Sequence, residues 1–146
     1  MLSKKAKYGL KALIVLGRYG AEKPMLISEI ADRERIPIKF LELILLELKK
    51  HGIVHSKKGK GGGYLLGKEP GSITLSQIIR TLDGPLALTP CVSEIAYRKC
   101  DECLDVTTCP IRLTMKQVRE AVVKILDSTT LEDVIKRARK LGKKDK

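Results

Sequence analysis

The sequence predicts a mainly α fold with one small β-hairpin and a long helix toward the C-terminal end. Three observations predict it. Apolar residues recur at helical spacing through most of the chain, as in Phe40, Leu41, Ile44, Leu45 and Leu48. A basic, glycine-rich segment, KKGKGGG at residues 57–63, breaks that periodicity between two short apolar runs, IVHS and YLL. Finally, Ile111, Met115, Val118, Val122 and Ile125 are spaced four, three, four and three residues apart, which is a heptad seam.

Length and charge bound the rest. A chain of 146 residues that is 43% hydrophobic can bury one good core with an appendage, but hardly a second large domain. The formal net charge of +12 calls for a polyanionic partner, nucleic acid or an anionic membrane. The N-terminal MLSKKAKYGLKALIVLG has the order of a secretory signal, but Lys11 interrupts it and the apolar run Ala12 to Gly17 is too short for a signal core or a membrane span. The expected location is the cytoplasm, with no membrane partner. In that reducing compartment, clustered cysteines are metal ligands or redox-active thiols rather than structural disulfides.

Taken in order, residues 3–19 form a helix with Ala6, Leu10, Leu13, Ile14 and Gly17 on one face and Lys4, Lys7, Lys11 and Arg18 on the other. A short helix follows over SEIADRER, with Ser28 as its cap and Ile30 and Ala31 inward, stopping before Pro37. Pro37 suits the first turn of a third helix that carries the Phe40 to Leu48 stripe and ends at Gly52. The hairpin comes next. Thr74 and Gln77 form a capping box for a fourth helix ending near Gly84, and Thr129 and Glu132 form another for a final helix with Leu131, Val134, Ile135 and Ala138 inward. From Lys136 onward seven of eleven residues are basic, which reads as a frayed, solvated tail.

Two helices joined by a short turn and followed by a basic hairpin make a winged helix-turn-helix. The domain division is 1–84 for this unit, 85–109 for a cysteine-rich loop, 110–127 for a dimerisation helix along the heptad seam, and 128–146 for the last helix and tail. Such a fold places the start of its second helix in the major groove. Here that means Pro37, Ile38, Lys39 and Glu42, where Lys39 can donate to guanine or phosphate and Glu42 can accept from a cytosine amino group. Lys57, Lys58 and Lys60 with Gly61 and Gly62 form a tip suited to the adjacent minor groove, and Lys4, Lys7 and Ser28 are positioned for backbone contacts. The segment Gly62 to Glu69 approaches a P-loop, but Glu69 stands where magnesium needs a hydroxyl and YLL reads as a strand.

All four cysteines fall between Cys91 and Cys109, spaced C-x8-C-x2-C-x5-C, with Pro110 opening the long helix directly after the last. Four thiolates on a loop suit an iron-sulfur cluster; zinc is the alternative, although its structural sites favour paired CxxC units. A thiol switch through Cys100 or Cys103 is a third use of the same residues. The helix dipole at Pro110 favours thiolate at Cys109. His51 and His55 are expected at a helix end and on the surface. No nucleophile-base-acid arrangement is visible, so an enzyme is not predicted. An iron-sulfur electron carrier would leave the basic wing without purpose, and purely nonspecific nucleic-acid binding would leave the cysteines without one.

The segments IADRERIPIKFLELILLELKKHGIVHSKKGKGGGYLL, ITLSQIIRTLDG and ILDSTTLEDV, with the cysteines immediately before the long helix, closely resemble the IscR/NsrR-like family of bacterial winged-helix transcription regulators. The resemblance runs from Tyr8 to about Val134. It implies a homodimer, a palindromic double-stranded DNA operator and, in many members, an iron-sulfur cluster whose state changes DNA binding. Glu42 matches a base-reading acid of IscR-type proteins. Cys103 and Cys109 match the last two family ligands and Cys91 the first. The usual fourth ligand departs: Arg112 stands where IscR-type proteins have histidine, and Lys7 where NsrR-type proteins have an acid. The expected ligand set is therefore Cys91, Cys100, Cys103 and Cys109, holding a [2Fe-2S] cluster in preference to [4Fe-4S].

Overall fold

The computed structural model describes residues 1–144. Six helices and one antiparallel hairpin follow in the order α1 (Lys4–Tyr19), α2 (Ile27–Glu34), α3 (Ile38–Lys50), β1 (Val54–Lys57), β2 (Gly63–Leu66), α4 (Leu75–Asp83), α5 (Pro110–Ser128) and α6 (Leu131–Lys144). The mainly α class and the single hairpin are as the periodicity predicts.

Each turn of the head has a local cause. Ser3 caps α1 by accepting from the Ala6 N–H at 3.0 Å, and the Ser3 N–H in turn donates to Asp83 at 3.0 Å, tying the start of α1 to the end of α4. At the end of α3, Gly52 takes φ +71°, its N–H reaches the Lys49 carbonyl at 3.0 Å, and the Ile53 N–H reaches Leu48 at 3.0 Å. That pair of bonds is a Schellman motif, the form in which glycine ends a helix. Leu41, Ile44, Leu45 and Leu48 lie wholly buried on α1 and α4, while Phe40 sits at the rim with its ring edge-on to Tyr8 at 5.5 Å. The aromatic Tyr19 at the end of α1 lies beneath Arg33 of α2 at 4.0 Å, fixing the entry to the helix-turn-helix.

Two caps differ from the sequence expectation. Ser28 does not cap α2; the helix begins at Ile27, with Leu26 in the cap position. The reason lies in the hairpin: Met25 and Tyr64 exchange N–H···O bonds of 2.8 and 2.7 Å, so residue 25 is held extended and the chain turns helical straight afterwards. The box opening α6 is likewise Thr130 and Asp133, not Thr129 and Glu132. The Asp133 carboxylate accepts from the Thr130 N–H at 2.9 Å, and the Asp133 N–H donates to the Thr130 hydroxyl at 3.2 Å. Hydrogen bonds from the Thr130 N–H and, second, the Thr130 hydroxyl hold the Asp133 carboxyl below its usual range. Thr129 instead donates its hydroxyl to the Ile125 carbonyl at 2.8 Å. The Thr74 box forms on one arm, the Gln77 N–H to the Thr74 hydroxyl at 3.2 Å.

The last helix returns to the head. Leu131 and Ile135 are buried with the α1 core, and Ile135 seats over Gly17. The basic stretch from Lys136 is accordingly helical through Lys144 rather than frayed; Asp145 and Lys146 lie outside the described residues. In contrast, α5 has no fully buried residue along its 19 positions. It is held to the rest by Arg119, whose guanidinium meets Glu94 at 2.5 Å, and by an Arg80–Asp127 contact to α4 at 3.4 Å.

Candidate nucleic-acid interface and cysteine pocket

On the head, α3 presents an outer face and the hairpin extends beside it. Pro37, Ile38, Lys39 and Glu42 are all exposed at the start of α3. Glu42 has no ion-pair partner among the described residues, and Lys39 three positions away leaves it free. Glu47, one turn further on, is engaged by Lys5 of α1. The carboxylate nearest the helix start is thus the one left available.

Two residues on this face had no place in the sequence reading. Leu43 and Leu46 are 63% and 49% exposed, off the buried stripe and beside Lys39 and Lys50. Their signal was present as leucines out of phase with the Leu41 to Leu48 stripe. Apolar side chains on such a face suit the methyl group of thymine.

The wing pairs Val54 with Leu66 through Lys57 with Gly63, leaving Lys58 to Gly62 as the tip. Lys57, Lys58, Lys60 and Gly61 are exposed, whereas Gly62 is buried under the turn, its N–H bonded to the Gly59 carbonyl at 3.0 Å. Gly62 therefore shapes the tip and presents little surface. Lys4, Lys7 and Ser28 are exposed on α1 and α2. His51 bonds through its ring to the Glu47 carbonyl at 3.0 Å, a helix-end role, and His55 is exposed on β1.

The second site lies where the 85–109 loop meets the start of α5. Cys91, Cys100, Cys103 and Cys109 all line one pocket of about 390 Å³, together with Thr89, Glu102, Asp105, Thr108, Ile111 and Arg112. Cys91 is buried on a short helical turn, Pro90–Val92; the other three are partly exposed, and all four are free thiols. Cys109 is the cap residue of α5 with Pro110 in the first helical position, as the sequence predicts. The hydroxyl of Thr89, 3.5 Å from the Cys91 sulfur, pulls that thiol below its ordinary range, aided by a hydrogen bond from Cys100 and by the Arg112 charge. Cys100, on the donating side of that bond, is pushed up.

A helix-turn-helix, a basic wing beside it and a thiol-lined pocket at the root of a long helix define a winged-helix DNA-binding protein. The sequence profile of the Rrf2 family, described as iron-dependent transcriptional regulator, matches residues 2–137, and the chain belongs to that family. It is 43% identical over 138 residues to an rrf2-like HTH-type transcriptional regulator of Rhodobacter capsulatus, spanning 92% of each chain. Against the HTH-type transcriptional regulator CymR of Bacillus subtilis the identity is 35%, over 91% of this chain and 88% of the other. The solved structure of that CymR, described as the global cysteine regulator, superposes with a TM-score of 0.77, 33% identity and coverage of 94% and 97%. T. potens IscR superposes at 0.73, with 30% identity and coverage of 94% and 88%. The chain is a DNA-binding transcription regulator and not an enzyme. Among the described residues, no helix is long and apolar enough to cross a membrane.

Proposed function

We propose that this regulator is a homodimer whose binding to a palindromic operator is governed by an iron-sulfur cluster held on Cys91, Cys100, Cys103 and Cys109. The observation that carries the reading is the convergence of all four cysteines on one pocket. Its donor set is what such a cluster takes. A single zinc ion fits less well. Zn–S bonds of about 2.3 Å draw four sulfurs to within about 3.8 Å of each other. Among the described residues, no group of three or more His, Cys, Asp or Glu side chains is placed to hold a single metal ion. A cluster spreads its ligands over several irons and suits thiols distributed around a wider pocket.

When bound, the cluster supplies electron exchange and a state that can be lost or modified. The protein's own part is to hold four thiolates, exclude solvent at Cys91, and translate the loop's shape into the placement of α5. That helix supports a homodimer: Ile111 and Ile125, the ends of the heptad seam, are 66% and 62% exposed, while Met115, Val118 and Val122 between them are half-buried and none is fully buried within its own chain. At the operator, Lys39 and Glu42 read bases in the major groove, with Leu43 and Leu46 beside them. Lys4, Lys7, Ser28 and the wing lysines hold the backbone.

Four free thiols around one pocket support one second reading, a disulfide switch through Cys100 or Cys103 in a regulator without a cluster. Protein purified without oxygen distinguishes the two. Iron and sulfide in matching amounts with visible absorption, and a difference in operator affinity between holo and cluster-free dimers at equal salt, are expected. A colourless protein that loses the mass of two hydrogens to a disulfide at Cys100 or Cys103 on oxidation refutes the cluster. Equal affinity in both states removes the sensing role.

A further inference from the structure

One charged group in the cysteine pocket has neither an ion-pair partner nor an acceptor for its buried N–H among the described residues. Arg112 lies in the first turn of α5 and lines the pocket beside the four thiols. Its Nε is buried and has no hydrogen-bond partner, and its guanidinium forms no ion pair among the described residues. A buried N–H without an acceptor is costly, and on a charged group more so. Arg119, two turns along the same helix, also has a buried unpaired Nε, but its terminal nitrogens reach Glu94 and Glu120. Glu102 and Asp105 share the pocket wall with Arg112, yet neither carboxylate reaches it, and Asp105 is occupied by the Thr107 N–H and hydroxyl at 2.9 and 2.7 Å.

We infer that Arg112 is a positioning and charge-compensating residue for the cluster, donating its Nε–H to a thiolate or bridging sulfur and raising the cluster's reduction potential. The inference rests on the cluster reading above. Four thiolates leave either cluster type anionic, and reduction adds a further electron to it. A guanidinium fixed beside the cluster therefore stabilises the reduced state more than the oxidised one. Hydrogen bonds to sulfur act in the same direction. The Arg112 Nε is buried, so water screens the charge weakly there. Because the residue enters from the first turn of α5, it also ties the cluster's charge to the helix that carries the seam.

The test is the reduction potential of the reconstituted full-length dimer, measured by dye-coupled titration for the wild type, Arg112→Gln and Arg112→Lys. Both variants are expected below the wild type, Gln lowest. Lysine keeps the charge but loses the planar donor fork, which places it between. An Arg112→Gln potential equal to the wild type overturns the inference while leaving the cluster reading intact. If Arg112→Gln retains no cluster, the lysine variant decides on its own, and a wild-type potential for it overturns the inference. Absence of iron and sulfide from the wild type itself refutes the cluster reading, and this inference falls with it.

Discussion

The wing is held by one residue whose replacement has a calculable consequence. Gly63 opens β2 at φ +139°, outside the left-handed well, and a Cβ there would run into the Met25 carbonyl. Alanine at this position carries backbone strain of about 1–3 kcal/mol. It also displaces the strand from Met25, weakening two N–H···O bonds of about 0.5–1.5 kcal/mol each. The sum is about 2–6 kcal/mol, a large share of a typical ~5–15 kcal/mol stability. Gly61 is the control: its φ is +76° and a Cβ there meets nothing within 4 Å, so Gly61→Ala should lose only about 1–2 kcal/mol. Urea unfolding of the three proteins gives the difference. Operator binding should weaken more for Gly63→Ala even where the protein remains folded, since the Met25 bridge fixes the wing against α2. Equal unfolding midpoints for Gly63→Ala and Gly61→Ala would refute the reasoning.

Other consequences are more direct. Glu42→Ala should lose about 1–3 kcal/mol of discrimination, roughly 5- to 150-fold, at one cytosine of a selected operator, with little change on random duplex; fluorescence anisotropy on single-base variants reads this, and uniform weakening would assign Glu42 to another role. Ile111→Glu combined with Ile125→Glu should convert the dimer to monomer in analytical ultracentrifugation, leaving the far-ultraviolet helical signal in place; an intact dimer would move the interface off the seam. Cys100→Ala should lose iron and sulfide on anaerobic purification, and full retention would remove Cys100 from the ligand set.

Most of the head was legible because its determinants are local. Gly52 needs only its own φ to end α3, Thr74 only its hydroxyl to start α4, and the Phe40 to Leu48 stripe only its period. What the chain sequence could not disclose was decided by distant strands and helices. STTLED offers two overlapping capping boxes in adjacent registers. The register used is the one in which the Leu75 N–H reaches Thr129 at 2.9 Å and the Leu131 N–H reaches Ile73 at 2.8 Å. The start of α2 was likewise set by Tyr64, nearly forty residues away. In the cysteine loop the spacing suggested a ligand set, but the gathering of all four thiols around one pocket depends on how the loop folds back onto the start of α5. The unpaired Nε of Arg112 has no sequence signal at all; a basic residue in a first helical turn otherwise reads as solvated surface.

The way the cysteine loop is attached limits what the proposed sensing can do to DNA binding. Within the head, α4 is locked: Leu82 packs against Gly9 of α1, Ser3 bonds Asp83, and Tyr8 meets Phe40 on the reading helix. The loop from 85 to 109 has one short helical turn, Pro90–Val92, and faces α5 through the pocket, the Arg119–Glu94 pair and Leu86, Ala87 and Leu88 beside Val118 and Val122. Releasing a cluster should therefore loosen the loop and re-aim α5 while leaving α3 and the wing as they are. If so, cluster state changes the spacing of two heads and not the quality of either. A duplex carrying one half-site should then bind holo and cluster-free protein alike, whereas the full palindrome should distinguish them. The assay is paired titration of both duplexes at one salt concentration. A cluster effect of equal size on the half-site would place the change within the head, and the coupling would have to run through α4 into α3 rather than along the seam.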